Sequence, residues 1–317
     1  MARLSGQGLR KRARTMARSP RVPFEVRCHL FYWERRRSWH TRHPVTLNQK
    51  LHWKLVKDRR PLLTTFADKV AVRDYVSHTV GPEVLPRLYA VVTDPAELDP
   101  TRLPAEFVVK PSHASGLVWI VADLARLRCE GSARPEARSF TTTRDALDWD
   151  RLVATCREWL AINYADKALE WAYRNIPPRI MVEELLLDPD GRIPPDYKFF
   201  VFHGRVRLVE VHSDRFDDHR CSIVLPDWSS VAARGDTRPA EHAPPRPASL
   251  ERMVHIAEAL AQETDFVRVD LYDIAGRIVF GELTSYPGGG HVIYSPESFD
   301  AELGRFWTVP KNYKNYN

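Results

Sequence analysis

Hydrophobic and polar residues alternate with a period of two along residues 266–290, near the C-terminal end of the chain. This alternation predicts a strand with two unlike faces. The apolar set is Val267, Val269 and Leu271, and the polar set is Arg268, Asp270 and Tyr272. Residues 273–276 predict a turn, because Gly276 can adopt a positive φ angle. The expected return strand carries Ile278, Phe280, Glu282 and Thr284 along one face.

Other segments show the longer period of amphipathic helices, namely residues 44–76, 150–171 and 250–263. Pro61 breaks the first of these, Gly81-Pro82 ends the helix that follows, and Ser249 is the expected N-cap of the last. Short strand patterns occur at residues 85–92, 107–110, 117–121, 179–187, 196–202 and 205–211. Polar loops are expected at residues 94–104, 129–144 and 227–247. This order predicts an α+β arrangement in which two sheet layers close on one nucleotide.

Composition restricts the class of protein. The 317 residues are enough for two or three domains, and 44% hydrophobic with 28% charged residues is typical of a globular chain. The four cysteines are widely spaced without a CxxC pair, which argues against a zinc motif or a disulfide framework. We find neither a transmembrane run of eighteen apolar residues nor an apolar signal core, so the expected location is cytoplasmic.

The net charge of +6 is unevenly distributed. Residues 1–24 contain seven lysines and arginines and no acid, and Arg35, Arg36 and Arg37 form a second basic cluster. Such an arm can touch nucleic acid or anionic lipid, but it is more often a solvated, poorly ordered tail. The first 23 residues lack the interleaved aromatic residues of a single-strand platform. We therefore expect no specific nucleic-acid partner and at most a weak contact with an anionic membrane.

Two carboxylates, Asp270 and Glu282, interrupt otherwise apolar β-sequence, and a buried carboxylate needs a partner. On neighbouring antiparallel strands, with the hydroxyl of Thr284, they would form a hard oxygen site suited to Mg²⁺. The alternative is an ordinary hairpin whose acids face water or pair with Arg268. The hairpin alone leaves both readings open.

Further candidate residues flank this hairpin in the sequence. Lys110 ends a strand before a loop of small residues that could turn its N–H groups toward an anion, although a plain hairpin loop is the simpler reading. No Walker A motif occurs. Only 10 of the 47 basic residues are lysine, yet Lys69, Lys110 and Lys198 all lie among apolar neighbours. Adjacent acids in a strand must face opposite ways, and a strand-end carboxylate can accept ribose hydroxyls. Those acids are Glu183 and Glu184, for which a solvent-facing acid next to an acid at a buried edge is the simpler reading.

Six pieces in order resemble the TupA-like ATP-grasp family. They are LNQKLHWKL, FADKVAVRDYV with VGPEVLP, LPAEFVVKPSHASG, PPRIMVEELL, PDYKFFVFHGRVRLVEVHSDRF and FVRVDLYDIAGRIVFGELTSYPGGG, and they cover residues 45–305. The resemblance implies an α+β ATP-grasp fold with a small subdomain, residues 106–187, and a large subdomain with the metal site, residues 188–317. A helix-rich region, residues 44–105, and a poorly ordered basic extension, residues 1–43, would precede them.

The resemblance also implies roles. The nucleotide residues would be Lys69, Lys110, His113, Ser115, Gly116, Glu183 and Glu184. The Mg²⁺ ligands would be Asp270, Glu282 and Thr284, and the catalytic cations would be Lys198, Arg215 and Arg268. Many ATP-grasp enzymes have Asn where this chain has Thr284, which puts a second Mg²⁺ in doubt more than the first.

The implied function is an ATP- and Mg²⁺-dependent ligase. A carboxylate would be activated as an acyl-phosphate and joined to an amine, as part of cell-surface polysaccharide or peptide-polymer synthesis with a small-molecule, glycan or peptide substrate. The first step gathers negative charge, so cations would supply most of the catalysis. An ATP-dependent phosphotransferase and a non-catalytic nucleotide-binding protein remain the alternatives.

Overall fold

Two β-sheets and the helices around them form the core of the protein. The computed structural model describes residues 6–36, 43–123, 139–214, 218–241 and 244–313. Within these ranges no helix is both long and apolar enough to span a bilayer.

The first third of the chain is mainly helical. The helices are α1 (Gly6–Arg18), α2 (Phe24–Arg36), α3 (Leu47–Lys57), α4 (Pro61–Ala67) and α5 (Ala71–Val80). Pro61 opens α4 rather than merely breaking a helix, and Gly81 caps α5 with a positive φ angle. The expectation that the basic extension is poorly ordered is corrected for α2, because its Cys28 and Tyr32 pack in the interior.

The first sheet has the strand order β1-β5-β2-β3-β4. Its strands are β1 (Leu88–Val92), β2 (Phe107–Pro111), β3 (Val118–Val121), β4 (Ser139–Thr142) and β5 (Ile180–Glu183). Helix α6 (Trp149–Leu160) packs Leu152, Cys156 and Trp159 against it, and the short α7 (Tyr164–Ala168) follows. The predicted loop at residues 129–144 was wrong for β4, whose Phe and Thr residues favour a strand. Residues 129–138 of that loop lie outside the described ranges.

The second sheet has the strand order β11-β10-β6-β7-β8-β9. Its strands are β6 (Asp196–Phe202), β7 (Arg205–Ser213), β8 (Arg220–Val224), β9 (Arg238–Pro239), β10 (Phe266–Ile274) and β11 (Arg277–Thr284). Helix α8 (Leu250–Leu260) covers one face, and α3 with α9 (Ser298–Arg305) covers part of the other. Because both faces are covered, every residue of β6 is buried.

A β-bulge in the β10–β11 hairpin decides which side chains of β11 share a face. Leu271 pairs with Phe280, but the preceding Asp270 pairs with Glu282, so Gly281 is the extra residue. Ile278 and Phe280 consequently face the α8 core, while Glu282 and Thr284 face the opposite side of the sheet. The prediction that all four share one face was wrong, because strict alternation ignores the bulge.

A buried ion cluster fixes the start of β10. Lys54 of α3 is fully buried and donates to Asp58 at 3.1 Å and to Asp265, the residue before β10. The second oxygen of Asp265 accepts hydrogen bonds from Trp307 Nε1 and Tyr313 Oη, both at 2.8 Å. This cluster ties α3 and the C-terminal segment to the strand that carries Asp270.

Candidate active site

A cleft lies between the first sheet and the edge strand β11 of the second. About 420 Å³ of space lies between its walls, part of it open to solvent. Its lining residues come from α4–α5, from the two sheets and from the segment before β5. They are Phe66, Ala67, Lys69, Val72, Arg73, Pro86, Lys110, Tyr173, Glu183, Phe280, Gly281, Glu282 and Leu283.

Two lysines form the basic side of this cleft. Lys110 on β2 makes an ion pair with Glu183, which lies on the adjacent strand β5. Lys69, between α4 and α5, donates to the carbonyl of Ala114 in the β2–β3 loop. Burial, together with the neighbouring Lys110 ammonium, lowers the pKa of Lys69 to about 8. The two cations therefore lie close enough to disfavour each other's charge, and an anion between them would relieve that repulsion.

On the opposite side Glu282 of β11 lines the cleft, and a buried cluster that includes Asp270 continues from it into the hairpin. Arg268 donates Nε to Asp270 Oδ1 and Nη2 to Asp270 Oδ2, both at 2.7 Å. The same Nη2 lies 2.7 Å from Glu282 Oε1 and 3.2 Å from Thr284 Oγ1, and the Thr284 hydroxyl donates to Glu282 at 2.8 Å. This confirms the sequence prediction that Asp270 and Glu282 are neighbours across the hairpin. One guanidinium thus holds all three oxygen-bearing side chains together.

Lys198 extends the cluster one strand further. It lies on β6 directly across from Asp270 and bonds to both Asp270 and Asp196. Burial alone would lower the pKa of Lys198, but the carboxylates of Asp270 and Asp196 raise it above its ordinary value. Lys198 is therefore held as a buried cation.

The charges of this cluster also keep Glu282 ionised. Although burial alone would raise the pKa of Glu282, the cations Arg268, Lys198 and Lys69 hold it well below its usual range. The carboxyl groups of Asp270 and Glu282 together with the Thr284 hydroxyl form an all-oxygen donor set, which is the chemistry that Mg²⁺ prefers. These residues therefore fit the Mg²⁺ that the family resemblance implies. A bound ion would have to replace some of the contacts that Arg268 and Lys198 make to the carboxyl groups.

Several predicted site residues lie away from the cleft lining. Glu184 binds Arg277 through two contacts at 2.7 and 2.9 Å, so it joins β5 to the start of β11. His113 is buried, and burial lowers its pKa, while backbone groups of α6 act in the opposite direction. Ser115 and Gly116 occupy the β2–β3 loop without lining the cleft. Arg215 lies outside the described residues.

Other residues at the site were not predicted. Tyr173 lines the cleft. Glu170, three residues earlier, has its pKa raised to about 8 by burial and by Glu282. Glu170 and Tyr173 lie in a short segment before Pro177-Pro178 that has no periodic pattern. Their place at the site becomes visible only in the structure, where this segment approaches β11. Asp196, the second partner of Lys198, could have been found from the sequence, because it lies two residues before Lys198 and therefore on the same face of the strand.

Comparisons with known proteins place these features in context. A comparison with curated proteins gives no match. Among solved structures, the chain is similar to the ATP complex of D-alanine–D-alanine ligase from Bacillus anthracis, at 14% identity and a TM-score of 0.39. That alignment covers 71% of this chain and 55% of the ligase.

Two other solved structures are similar to the chain. One is an L-amino acid ligase from Bacillus licheniformis, at 15% identity, with coverage of 73% and 46% and a TM-score of 0.38. The other is the ADP complex of N5-carboxyaminoimidazole synthetase from Staphylococcus aureus, at 8% identity, with coverage of 78% and 53% and a TM-score of 0.41. The chain thus spans about half the length of these three structures. A family model described as TupA-like ATPgrasp matches residues 49–308, a range that includes both walls of the cleft, and the chain therefore belongs to that family.

Proposed function

We propose that this protein is an ATP- and Mg²⁺-dependent ligase that activates a carboxylate as an acyl-phosphate and joins it to an amine. One observation carries the proposal. In a member of the ATP-grasp family, lysines on one side of a cleft face an oxygen-rich carboxylate cluster on the other. A nucleoside triphosphate with its metal needs both kinds of surface, because its phosphates are anionic and Mg²⁺ takes oxygen ligands.

The nucleotide would occupy the basic side of the cleft. Lys69 and Lys110 would contact the phosphates, and the lowered pKa of Lys69 supports this role, since a phosphate would offset the repulsion between the two ammonium groups. His113, Ser115 and Gly116 belong to the loop that would cover the phosphates. Glu183 and Glu184 would accept hydrogen bonds from the adenine and ribose side.

The carboxylate cluster would hold the metal. Asp270, Glu282 and Thr284 would be its ligands, and bound Mg²⁺ would neutralise charge on the β- and γ-phosphates. Arg268 and Lys198 are already held beside these ligands. Once the metal shares the carboxylates, both cations would be available to stabilise the phosphoryl group during transfer. Arg215 would add a further positive charge.

The proposed reaction has two steps. A carboxylate oxygen of the substrate attacks the γ-phosphorus as the bond to ADP breaks, which gives the acyl-phosphate. The amine nitrogen then attacks the acyl carbon, inorganic phosphate leaves, and the amine proton passes to solvent. The cations of this chain would act mainly in the first step, where three equatorial oxygens share the charge.

The substrate and the subdomain boundaries belong to the same proposal. Residues 106–187 and 188–317 would be the small and large subdomains that close on the nucleotide, with β1 from the region 44–105 completing the first sheet. The resemblance to TupA-like proteins favours an amino acid, glycan or peptide substrate in cell-surface polymer synthesis. The name of a family does not identify a substrate by itself.

The first test is thermal unfolding with and without Mg²⁺ and ATP or ADP. Nucleotide at 100 times its Kd should add about 2.7 kcal/mol of stability. The second test measures ADP and phosphate release with pairs of carboxylates and amines. A ligase needs both substrates to complete the reaction, whereas a phosphotransferase forms ADP and a stable phosphorylated product without an amine. No stabilisation at millimolar Mg²⁺–nucleotide would refute the proposal.

A further inference from the structure

A second polar cluster lies on the same sheet, outside the cleft. Glu210 and His212 are on β7, and Cys221 on β8 is the cross-strand partner of His212. The ligand atoms of these three side chains lie within 4.8 Å of one another. The side chains of Glu210 and His212 are only 13% and 11% exposed. Three different types of metal ligand thus converge on one point, on the face of the sheet that α3 and α9 partly cover.

The distances within this cluster match those of a tetrahedral metal site. His212 Nε2 lies 3.3 Å from Glu210 Oε2 and 3.7 Å from Cys221 Sγ. Zinc bonds of about 2.3 Å to sulfur and about 2.0–2.2 Å to nitrogen and oxygen, at tetrahedral angles, separate N from O by about 3.4 Å and N from S by about 3.6 Å. Both separations from His212 agree with these values, and the third pair, Glu210 and Cys221, lies within 4.8 Å.

A fourth residue orients the imidazole. The other ring nitrogen of His212, Nδ1, lies 2.9 Å from Nε2 of His219. When Nδ1 carries the proton and donates it to His219, the lone pair of Nε2 points at Glu210 and Cys221. Metal-bound histidines typically donate their second N–H to such an acceptor, which fixes the tautomer.

We propose that Glu210, His212 and Cys221 bind Zn²⁺ or a similar borderline divalent transition ion. His219 is the positioning residue, and a water molecule or a substrate atom takes the fourth ligand position. The thiol and imidazole distinguish this site from the oxygen site of Asp270 and Glu282, because Mg²⁺ avoids sulfur and nitrogen ligands. Binding converts the Cys221 thiol to a thiolate, and its proton leaves to solvent.

The proposed zinc site lies on the same sheet as the carboxylate cluster of the cleft, and strand pairing connects the two. Glu210 is the cross-strand neighbour of Lys198, and Lys198 is the neighbour of Asp270. Two strand spacings separate the two proposed sites, a distance of about 10 Å. The sequence argument against zinc relied on the absence of CxxC pairs, and it does not apply to ligands that a β7–β8 pairing brings together.

The test uses the full-length protein with any affinity tag removed, stripped with a chelator and dialysed against Zn²⁺. We expect one Zn²⁺ per chain with a Kd below about 1 μM, retained in millimolar Mg²⁺. Co²⁺ in its place should give a thiolate-to-metal charge-transfer band. X-ray absorption of the zinc form should show one sulfur at about 2.3 Å with nitrogen and oxygen at about 2.0–2.2 Å.

Matched variants assign the ligands. Cys221→Ser should abolish the charge-transfer band, His212→Gln should abolish stoichiometric binding, and His219→Gln should weaken binding about 10- to 100-fold. Cys156→Ala, on α6 against the first sheet, and His255→Gln, on the exposed face of α8, are changes away from the site and should leave binding unchanged. Circular dichroism with chelator present checks that each variant is folded.

Two results would overturn the proposal. One is the absence of stoichiometric Zn²⁺ in the unmodified protein, which would leave His212 and Glu210 as an ordinary polar contact. The other is zinc binding that survives Cys221→Ser without loss of the sulfur signal. Neither result bears on the proposed ligase, because nucleotide stabilisation is measured with Mg²⁺ and needs none of these three side chains.

Discussion

Replacing Glu282 by glutamine separates the role of its charge from its role in packing. Gln has nearly the same shape, and its remaining oxygen can still accept from Arg268 Nη2 and Thr284 Oγ1, which lie 2.7 and 2.8 Å away. Arg268 also keeps both of its hydrogen bonds to Asp270. The substitution therefore removes one negative charge while it leaves the local geometry largely supported.

The structure predicts very different effects on stability and on activity. The side chain of Glu282 is 39% exposed, so its ion pair should contribute on the scale of a surface pair, about 0–1 kcal/mol. A metal ligand at a phosphoryl-transfer site is worth more, because the ion supplies several kcal/mol of transition-state stabilisation. A loss of about 3 kcal/mol corresponds to a rate decrease of more than 100-fold. Glu282→Gln should therefore fold normally and fail in turnover.

The assay is ADP release at a series of Mg²⁺ concentrations, combined with urea unfolding of the same preparations. Glu258→Gln is the matched control, since Glu258 pairs with Arg205 at 3.1 Å on the face of the sheet that α8 covers. The control should keep wild-type turnover and wild-type Mg²⁺ dependence. If Glu282→Gln also turns over at the wild-type rate with unchanged Mg²⁺ dependence, Glu282 is not a metal ligand and the assignment fails.

Three further predictions concern the framework and the lysines. Lys54→Met removes the fully buried cation from Asp58 and Asp265 and leaves them only Arg60, so it should cost about 3–5 kcal/mol in urea unfolding. Lys57→Met, on the exposed side of the same helix, should cost less than about 1 kcal/mol. Because Lys69 has a pKa of about 8 and bound phosphate should raise it, nucleotide binding above that pH takes up a proton. Nucleotide affinity should then fall by up to about tenfold per pH unit above 8, and Lys69→Arg should remove this pH dependence. A nucleotide Kd that stays constant between pH 7.5 and 9.5 would contradict the prediction. Gly304→Ala brings a methyl group 2.1 Å from the carbonyl oxygen of Val45 and should lower unfolding stability by about 1–3 kcal/mol; an unchanged urea midpoint would show that the two segments separate freely.

The parts of the site that the sequence predicts are those set by local pattern. Alternation with a period of two and a short turn define the β10–β11 hairpin, and this is enough to put Asp270 and Glu282 on neighbouring strands. Their direct pairing depends on the bulge at Gly281. The turn itself needs two positive φ angles, at Ala275 and Gly276, and only the glycine signals it. The strand that ends in Lys110 is equally local. These predictions succeed because they need no knowledge of the partner strand.

The features that the sequence does not predict depend on contacts between distant segments. The bulge at Gly281 shifts Glu282 to the face opposite Phe280, and no residue pattern within β11 announces it. Lys54 falls on the apolar stripe of its helix, where a lysine is unusual. Its burial is explained by its ion pair with Asp265, which lies more than two hundred residues later in the chain. Tyr173 looks like core until β11 is seen to form the other wall of the cleft. Tertiary pairing, rather than propensity, decides each of these.

The charges around the cleft explain how one site can attract both an anion and a metal. On the basic side, Lys69 and Lys110 face a single ion-paired acid, Glu183, so positive charge is in excess. In the cluster on the second sheet, Arg268 and Lys198 bridge three acids, so negative charge is in excess. An isolated Mg²⁺ would have to compete with two cations already bonded to its ligands, and an isolated triphosphate would approach those acids unfavourably. A metal–nucleotide complex satisfies both sides at once, because its phosphates reach the lysines while its ion reaches the carboxylates. If the proposed function holds, these charges favour the complex over either component, and Mg²⁺ and nucleotide should stabilise the protein together by more than the sum of their separate effects.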